Sequence, residues 1–284
     1  KWLQFIGEVS REMQAPTDNG PNKAPQTITR EDGATIAYHF SPGDHADKPT
    51  GVVFLGGFKS DMQGGKALAL ESWCQAQGRA FLRFDYTGHG QSSGAFTDGT
   101  IGQWAEDALY ALDHLTKGPQ VLVGSSMGGW LMLLVARERP ERLKGLVGLA
   151  SAPDFTEDLM WNELNDEQRA ELEREGHVAL PSDYDPLEPY IITKALIEDG
   201  KNHLLLRDPL NIQVPVRLIQ GMQDRDVPWA TALKIQDALV TDDVEIQFVK
   251  NGDHRLSEAA DLKRLTRTLG NLLIDLENCE SETL

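Results

Sequence analysis

The chain is poor in cysteine, short of positive charge and without a long apolar run, and each shortage removes a class of protein. Two cysteines, Cys74 and Cys279, occur in 284 residues. Two thiols cannot staple a domain of this size, so no disulfide framework is expected and a reducing compartment is the natural setting. The longest apolar stretch, Trp130 to Ala136, falls far below the roughly 18 residues that a membrane-spanning helix requires. The opening residues Lys1 to Ile6 lack the apolar centre of a signal peptide. Lys and Arg number 27 against 44 Asp and Glu, a formal charge of −17. Nucleic acid and anionic lipid both ask for a basic surface, so neither is an expected partner. The cytoplasm is the expected compartment. Lys1 is not an initiator methionine, and the alternative is the mitochondrial matrix after removal of a leader.

What is present is a globular composition, 40% hydrophobic and 25% charged, which argues against disorder. Residues 1–26 read as an N-terminal helix, with Trp2, Phe5, Ile6, Val9 and Met13 on one face, followed by a Pro/Asn/Gly-rich linker. The bland reading of that helix is packing on its own domain; the sharper one is an arm for a partner or membrane. Thr27 to Phe40 reads as a hairpin turning at Glu31-Asp32-Gly33. Short β-branched runs then alternate with helical patterns. Strands are expected at Gly51–Leu55, Ala80–Phe84, Gln120–Val123, Leu143–Ala150, Val216–Gln220 and Val244–Val249. Helices are expected at Gly64–Gln77, Ile101–Leu115, Ser126–Arg137 and Ala230–Leu239, and at a last Leu-striped segment from Leu262 to Leu276. This rhythm predicts an α/β fold, a mostly parallel sheet with helices on both faces. It breaks over residues 153–208, where helical pieces and acidic loops appear without a clear strand. The expected organisation is a core of residues 27–152 and 209–277, a helical cap at 153–208 over the strand ends, and an acidic tail at 278–284.

The sharpest chemical signal is Gly124-Ser125-Ser126-Met127-Gly128, between a β-branched strand and a helix. That is the setting a nucleophile elbow needs. The strand-to-helix turn strains the serine, glycines two residues either side make room for it, and Ser126 is lifted above the sheet. A hydroxyl needs a base, and in this arrangement the partners follow in the order serine, acid, histidine. His254, in the loop Gly252-Asp253-His254, fits that place; His39, His45, His89, His114, His177 and His203 read as structural or solvated. The acid is expected after Val216–Gln220. Asp224 is favoured over Asp226, with Asp154 third and Asp253 a loop residue. The oxyanion of an acyl intermediate needs two donors, expected from the backbone amides of Met127 and Phe58. Gly56 and Gly57 let the latter loop approach closely. Trp161, Leu159, Met160 and Phe155 of the cap, with Trp229, are expected to line an apolar pocket beside Gly57, unless they serve to hold the cap to the body. Gly65-Lys66 and Gly88-His89-Gly90 only imitate nucleotide-binding loops, because Ala67 and Ser93 stand at decisive positions. No metal-ligand spacing occurs, and neither metal nor organic cofactor is expected.

The order Gly56-Gly57-Phe58, Asp85-Tyr86-Thr87-Gly88-His89-Gly90-Gln91-Ser92, Gly124–Gly128, Asp224 and His254 resembles the α/β-hydrolase superfamily over roughly residues 27–277. Arg83-Phe84-Asp85-Tyr86, Val123 to Leu133, Gly221-Met222, Val227-Pro228-Trp229 and Asp253-His254-Arg255 are similar to one subgroup, the palmitoyl-protein thioesterases that also cleave mycophenolic acid acyl-glucuronide. That resemblance implies an esterase or thioesterase acting on an acylated small molecule, or on an S-acylated protein or thiol. Many relatives carry His-Gly where this chain has Gly56-Gly57 and Gln220-Gly221, and neither change removes a member of the triad. A short-chain carboxylesterase or lipase, a carbon–carbon bond hydrolase and a non-catalytic receptor are the alternatives on this fold.

Overall fold

The computed structural model describes residues 24–44, 50–180 and 189–281. The helix expected over residues 1–13 lies outside them. The chain enters as the antiparallel pair β1 (Gln26–Thr29) and β2 (Thr35–Ser41), then alternates: β3 (Gly51–Leu55), α1 (Gly65–Ala76), β4 (Phe81–Phe84), α2 (Ile101–Leu115), β5 (Gln120–Ser125), α3 (Met127–Glu138) and β6 (Leu143–Leu149). An insertion follows, with α4 (Asp166–Glu175), β7 (His177–Leu180), β8 (Tyr190–Thr193) and α5 (Lys194–Gly200). The alternation resumes with β9 (Val216–Gly221), α6 (Ala230–Ala238), β10 (Val244–Val249) and α7 (Ala259–Ser281). The last helix therefore continues through most of the stretch read as an acidic tail.

The main sheet has eight strands in the order β1-β2-β4-β3-β5-β6-β9-β10. From β4 onward all neighbours are parallel. Such a sheet is buried on both faces, which is why β5 is apolar at successive positions. Leu122 faces one core with α2, α3 and α6, while Val121 and Val123 face another with α1 and α7. The Leu stripe of α7 explains its docking, since Leu265, Leu269, Leu272 and Leu273 are all buried there. Burying each contributes about 1.5–3 kcal/mol.

The strand order reverses between β3 and β5: β4 lies on one side of β3 and β5 on the other. Ligand crevices in open α/β sheets form outside the strand ends at such a reversal. Here Leu55 pairs with Gly124, so the loop after β3 and the turn after β5 leave the sheet side by side. Those are the two segments expected to carry the oxyanion donors and the nucleophile.

The insertion departs from expectation. It contains an antiparallel hairpin, with Val178 opposite Ile192, where no strand was legible. Four-residue strands give only two turns of alternation, and the stretch between them is rich in Pro and Asp. Val178 and Ile192 join Leu164, Leu172 and Ile197 in a small core of the cap itself. The stems of the cap are tied at Asp154. Its buried carboxylate accepts from Leu205 N (2.7 Å) and Leu206 N (2.9 Å) and pairs with Arg207 (3.1 Å). Burial pushes that carboxyl above the usual range. Asp154 therefore fastens the cap and does not face the histidine.

Candidate active site

Ser126 sits at the β5–α3 turn with φ 55° and ψ −119°, a conformation that costs a non-glycine residue about 1–3 kcal/mol. Two glycines make it possible. A Cβ at Gly124 would collide with the Gly128 carbonyl, and one at Gly128 with the carbonyl oxygens of Leu55 and Gly56. The turn is held from both sides: Ser126 N donates to Leu149 O (2.9 Å) and Ala152 N to Ser126 O (3.1 Å).

His254 comes from the loop after β10 and Asp224 from the loop after β9, adjacent parallel strands paired to their ends at Val249 and Gly221. His254 Nδ1 lies 2.9 Å from Asp224 Oδ2, and His254 Nε2 lies 2.9 Å from Ser126 Oγ. The Asp224 side chain is fully buried and that of His254 is 17% exposed. Asp224 Oδ1 accepts from the amides of Asp226 (3.0 Å) and Val227 (2.8 Å), and Oδ2 also accepts from Gln220 Nε2 (3.0 Å). A carboxylate so held takes the proton of Nδ1 as its fourth donor, which leaves the Nε2 lone pair facing the serine. Of the competing acids, Asp226 is exposed and Asp253 accepts from Leu256 N within its own loop. Asp224, Asp226 and His254 also place three potential metal-ligand atoms within 4.8 Å of one another. Two of those groups already bond each other, so the cluster is the acid–imidazole pair and not a cation nest.

Phe58 and Met127 line the same cleft as this serine. Among the described residues neither N–H donates a hydrogen bond. At Gly57 an added Cβ would lie 3.5 Å from the Ser126 Cβ, in ordinary contact, so this loop runs directly beside the serine and the approach does not itself demand glycine.

A cleft of about 420 Å³ opens beside Ser126, Met127, His254 and Phe58. Its far wall is the cap: Phe155, Leu159, Met160, Leu180, Tyr190 and Ile192. A second cleft of about 320 Å³ lies on the other side of Ser126 and His254, lined by Gly57, Lys59, Lys66 and Arg255 among others. Two of the expected pocket residues are elsewhere. Trp161 is covered by Arg169 and Lys201, whose charges stand 5.0 and 4.8 Å from its ring. Trp229 is 43% exposed and packs edge-on against Phe248 at 5.7 Å. The sequence places Trp161 in the insertion and Trp229 beside the acid loop, and neither lines the cleft at Ser126. Of the expected residues Phe155, Leu159 and Met160 do line the wall, joined by the hairpin residues Leu180, Tyr190 and Ile192, which sequence reasoning missed. The aromatic and β-branched run Tyr190-Ile191-Ile192-Thr193 was the signal available for them.

Fold and site together define an α/β-hydrolase, and the chain belongs to that family. The family model for the alpha/beta hydrolase fold matches residues 54–177. The chain is 39% identical over 246 residues to human palmitoyl-protein thioesterase ABHD10, mitochondrial, covering 87% of this chain and 79% of that protein. The rat protein of the same name is 42% identical, with 87% and 81% covered. The structure of mouse alpha/beta hydrolase domain-containing protein 10 superposes with a TM-score of 0.82 at 38% identity, covering 89% of this chain and all of that one.

Proposed function

We propose that this chain is a serine hydrolase that cleaves acyl thioesters and activated carboxyl esters through an acyl-enzyme on Ser126. The observation that carries the reading is the continuous line Asp224–His254–Ser126, with both contacts at 2.9 Å, next to two backbone amides that have no other partner among the described residues.

Ser126 Oγ attacks the acyl carbon as His254 Nε2 takes its proton. Asp224 holds the ring and balances the imidazolium charge. The carbonyl oxygen becomes an oxyanion and is received by the Phe58 and Met127 amides; losing one such donor costs about 3–4 kcal/mol of barrier. The imidazolium returns its proton to the departing group. A thiolate needs that proton less than an alkoxide does, since a free thiol has a pKa of about 8.5. Water then attacks the acyl-enzyme with His254 as base. The apolar wall of Phe155, Leu159, Met160, Leu180 and Ile192 suits a hydrocarbon acyl chain. The second cleft, with Lys59, Lys66 and Arg255 in its lining, suits the departing thiol or alcohol.

The relatives named palmitoyl-protein thioesterase support the thioester side of this reading. Their mitochondrial names are at odds with the cytoplasm as the expected compartment and favour the matrix alternative. Scarcity of cysteine separates reducing from oxidising surroundings and does not separate those two. Matched S-acyl and O-acyl substrates of rising chain length test the proposal. Faster turnover of long S-acyl substrates, lost in Ser126→Ala, supports it. Turnover of short oxyesters alone would overturn the acyl-chain assignment.

A further inference from the structure

The motif Asp85-Tyr86-Thr87-Gly88-His89 touches no reacting atom in the scheme above, yet three of its side chains reach the loop that carries the Phe58 amide. Tyr86 Oη donates to Gly56 O (3.3 Å), His89 Nε2 accepts from Lys59 N (3.3 Å), and Asp85 Oδ1 accepts from Met62 N (2.7 Å). The peptide bearing the Phe58 N–H lies between two of these pinned peptides, Gly56–Gly57 and Phe58–Lys59. Its own carbonyl, Gly57 O, accepts from Ser60 N (3.2 Å) and Ser60 Oγ (2.8 Å). Gly57 has no side chain to restrict it, and Lys59 is held at φ 55°, a region a β-carbon disfavours. Ser60 ties that peptide within its own turn, and the Lys59 N–H is what ties the turn to His89.

We infer that His89 is a positioning residue for the oxyanion-binding amide: its Nε2 lone pair holds the Lys59 N–H and keeps the neighbouring Phe58 N–H aimed at the serine. The inference rests on the reading of Ser126 as nucleophile. The ring of His89 is well placed for the task. Nδ1 lies 3.4 Å from the Thr87 carbonyl, which takes its proton and leaves Nε2 as the acceptor. Thr87 is itself fixed, its N–H on Asp107 (2.7 Å) and its carbonyl on Trp104 Nε1 (3.0 Å). The imidazole stands edge-on to Tyr86, Phe96 and Trp104 at 5.4, 5.2 and 5.0 Å, so it cannot swing out. The Phe58 ring packs on the same Phe96 and Trp104 at 4.8 and 5.9 Å, so loop and turn share one aromatic cluster. Burial pushes the His89 pKa down to about 4, which keeps the ring neutral and able to accept at neutral pH.

The test compares His89→Gln with His89→Met. Gln places an amide oxygen near the position of Nε2 and can still accept from Lys59; Met fills the space and cannot. With the best acyl ester, His89→Met should lower kcat about 10- to 100-fold while KM stays within about threefold. Its affinity for a trifluoromethyl ketone, which forms a tetrahedral oxyanion on the serine, should fall by the same factor. His89→Gln should recover most of both. Amide exchange of Lys59, read by NMR or mass spectrometry, gives an arm that needs no turnover: protected in the wild type and His89→Gln, faster in His89→Met. Unchanged kcat in His89→Met, equal losses in both variants, or an unprotected Lys59 amide in the wild type would overturn the inference. A protected, His89-dependent Lys59 amide in a protein that turns over no ester or thioester would instead overturn the proposed function and leave the pinning of the loop in place.

Discussion

Gln220 donates a 3.0 Å hydrogen bond to Asp224, onto the same Oδ2 that His254 meets at 2.9 Å. Gln220 is 1% exposed and its amide also lies 3.3 Å from the Val227 carbonyl, so it spans the base of the acid loop. Gln220→Met removes a donor to a buried carboxylate and leaves the volume nearly unchanged. The expected outcome is a stability loss of about 1.5–3 kcal/mol and a roughly tenfold lower kcat/KM. Urea unfolding and initial rates check it. Rates at wild-type level would mean that the two loop amides on Oδ1 suffice to aim the acid.

Gly128 is where the elbow meets β3. Any β-carbon there runs into the carbonyls of Leu55 and Gly56, which are backbone and cannot turn aside. Gly128→Ala should therefore cost more than about 3 kcal/mol or yield little folded protein, and whatever folds should be nearly inactive because the shift falls on both the serine and the oxyanion loop. Folded yield, melting temperature and specific activity together read this. A well-folded, active Gly128→Ala would contradict the packing described.

The cap wall sets the room for the acyl chain. Ile192→Trp fills the cleft from the hairpin side and should lower kcat/KM for long acyl substrates about 10- to 200-fold, with short ones little affected. Trp229→Ala, on the rim, should leave the chain-length profile as it is. A profile that follows Trp229 and ignores Ile192 would restore the expectation drawn from sequence.

Burial holds His89 near a pKa of about 4, below the ordinary histidine value of 6.5. The unfolded chain takes up a proton there as the pH falls below 6.5, while the folded chain does so only near 4. The contribution is therefore complete above pH 6.5 and lost as the pH drops through that window, by about 3 kcal/mol. Asp85, Asp107 and Asp154, raised by burial, work in the opposite sense, because the folded state binds their protons more tightly. Comparison with His89→Gln isolates the histidine. The wild type should lose about 3 kcal/mol more than the variant between pH 7 and pH 4. Parallel urea curves at all pH values would show that the ring takes up its proton at the ordinary value.

The core of the fold was legible because parallel strands buried on both faces are unbroken β-branched runs, and helices between them have one apolar stripe. The elbow was legible for a different reason: steric demand forces glycine at 124 and 128, and so leaves a pattern in sequence. Asp224 and His254 could be placed by chain order after two recognisable strands. The cap could not be read in the same way. Its two strands are four residues each, its core is a handful of side chains, and of the two tryptophans Trp161 packs on that core while Trp229 lies exposed beside Phe248. The tie between His89 and the oxyanion loop was also invisible, since it joins segments 30 residues apart through a backbone amide that any residue at 59 would supply.

Covalent chemistry at Ser126 is best read from the protein itself. Rapid quenching of the enzyme with a long-chain acyl thioester, followed by intact and peptide mass spectrometry, should reveal one added acyl group on the peptide containing Ser126. It should form far more slowly in His254→Gln, in which the serine lacks its base, and be missing in Ser126→Ala. Multiple turnovers with no acylated protein at any time, or an acyl group carried on a residue other than Ser126, would contradict the mechanism proposed for this site.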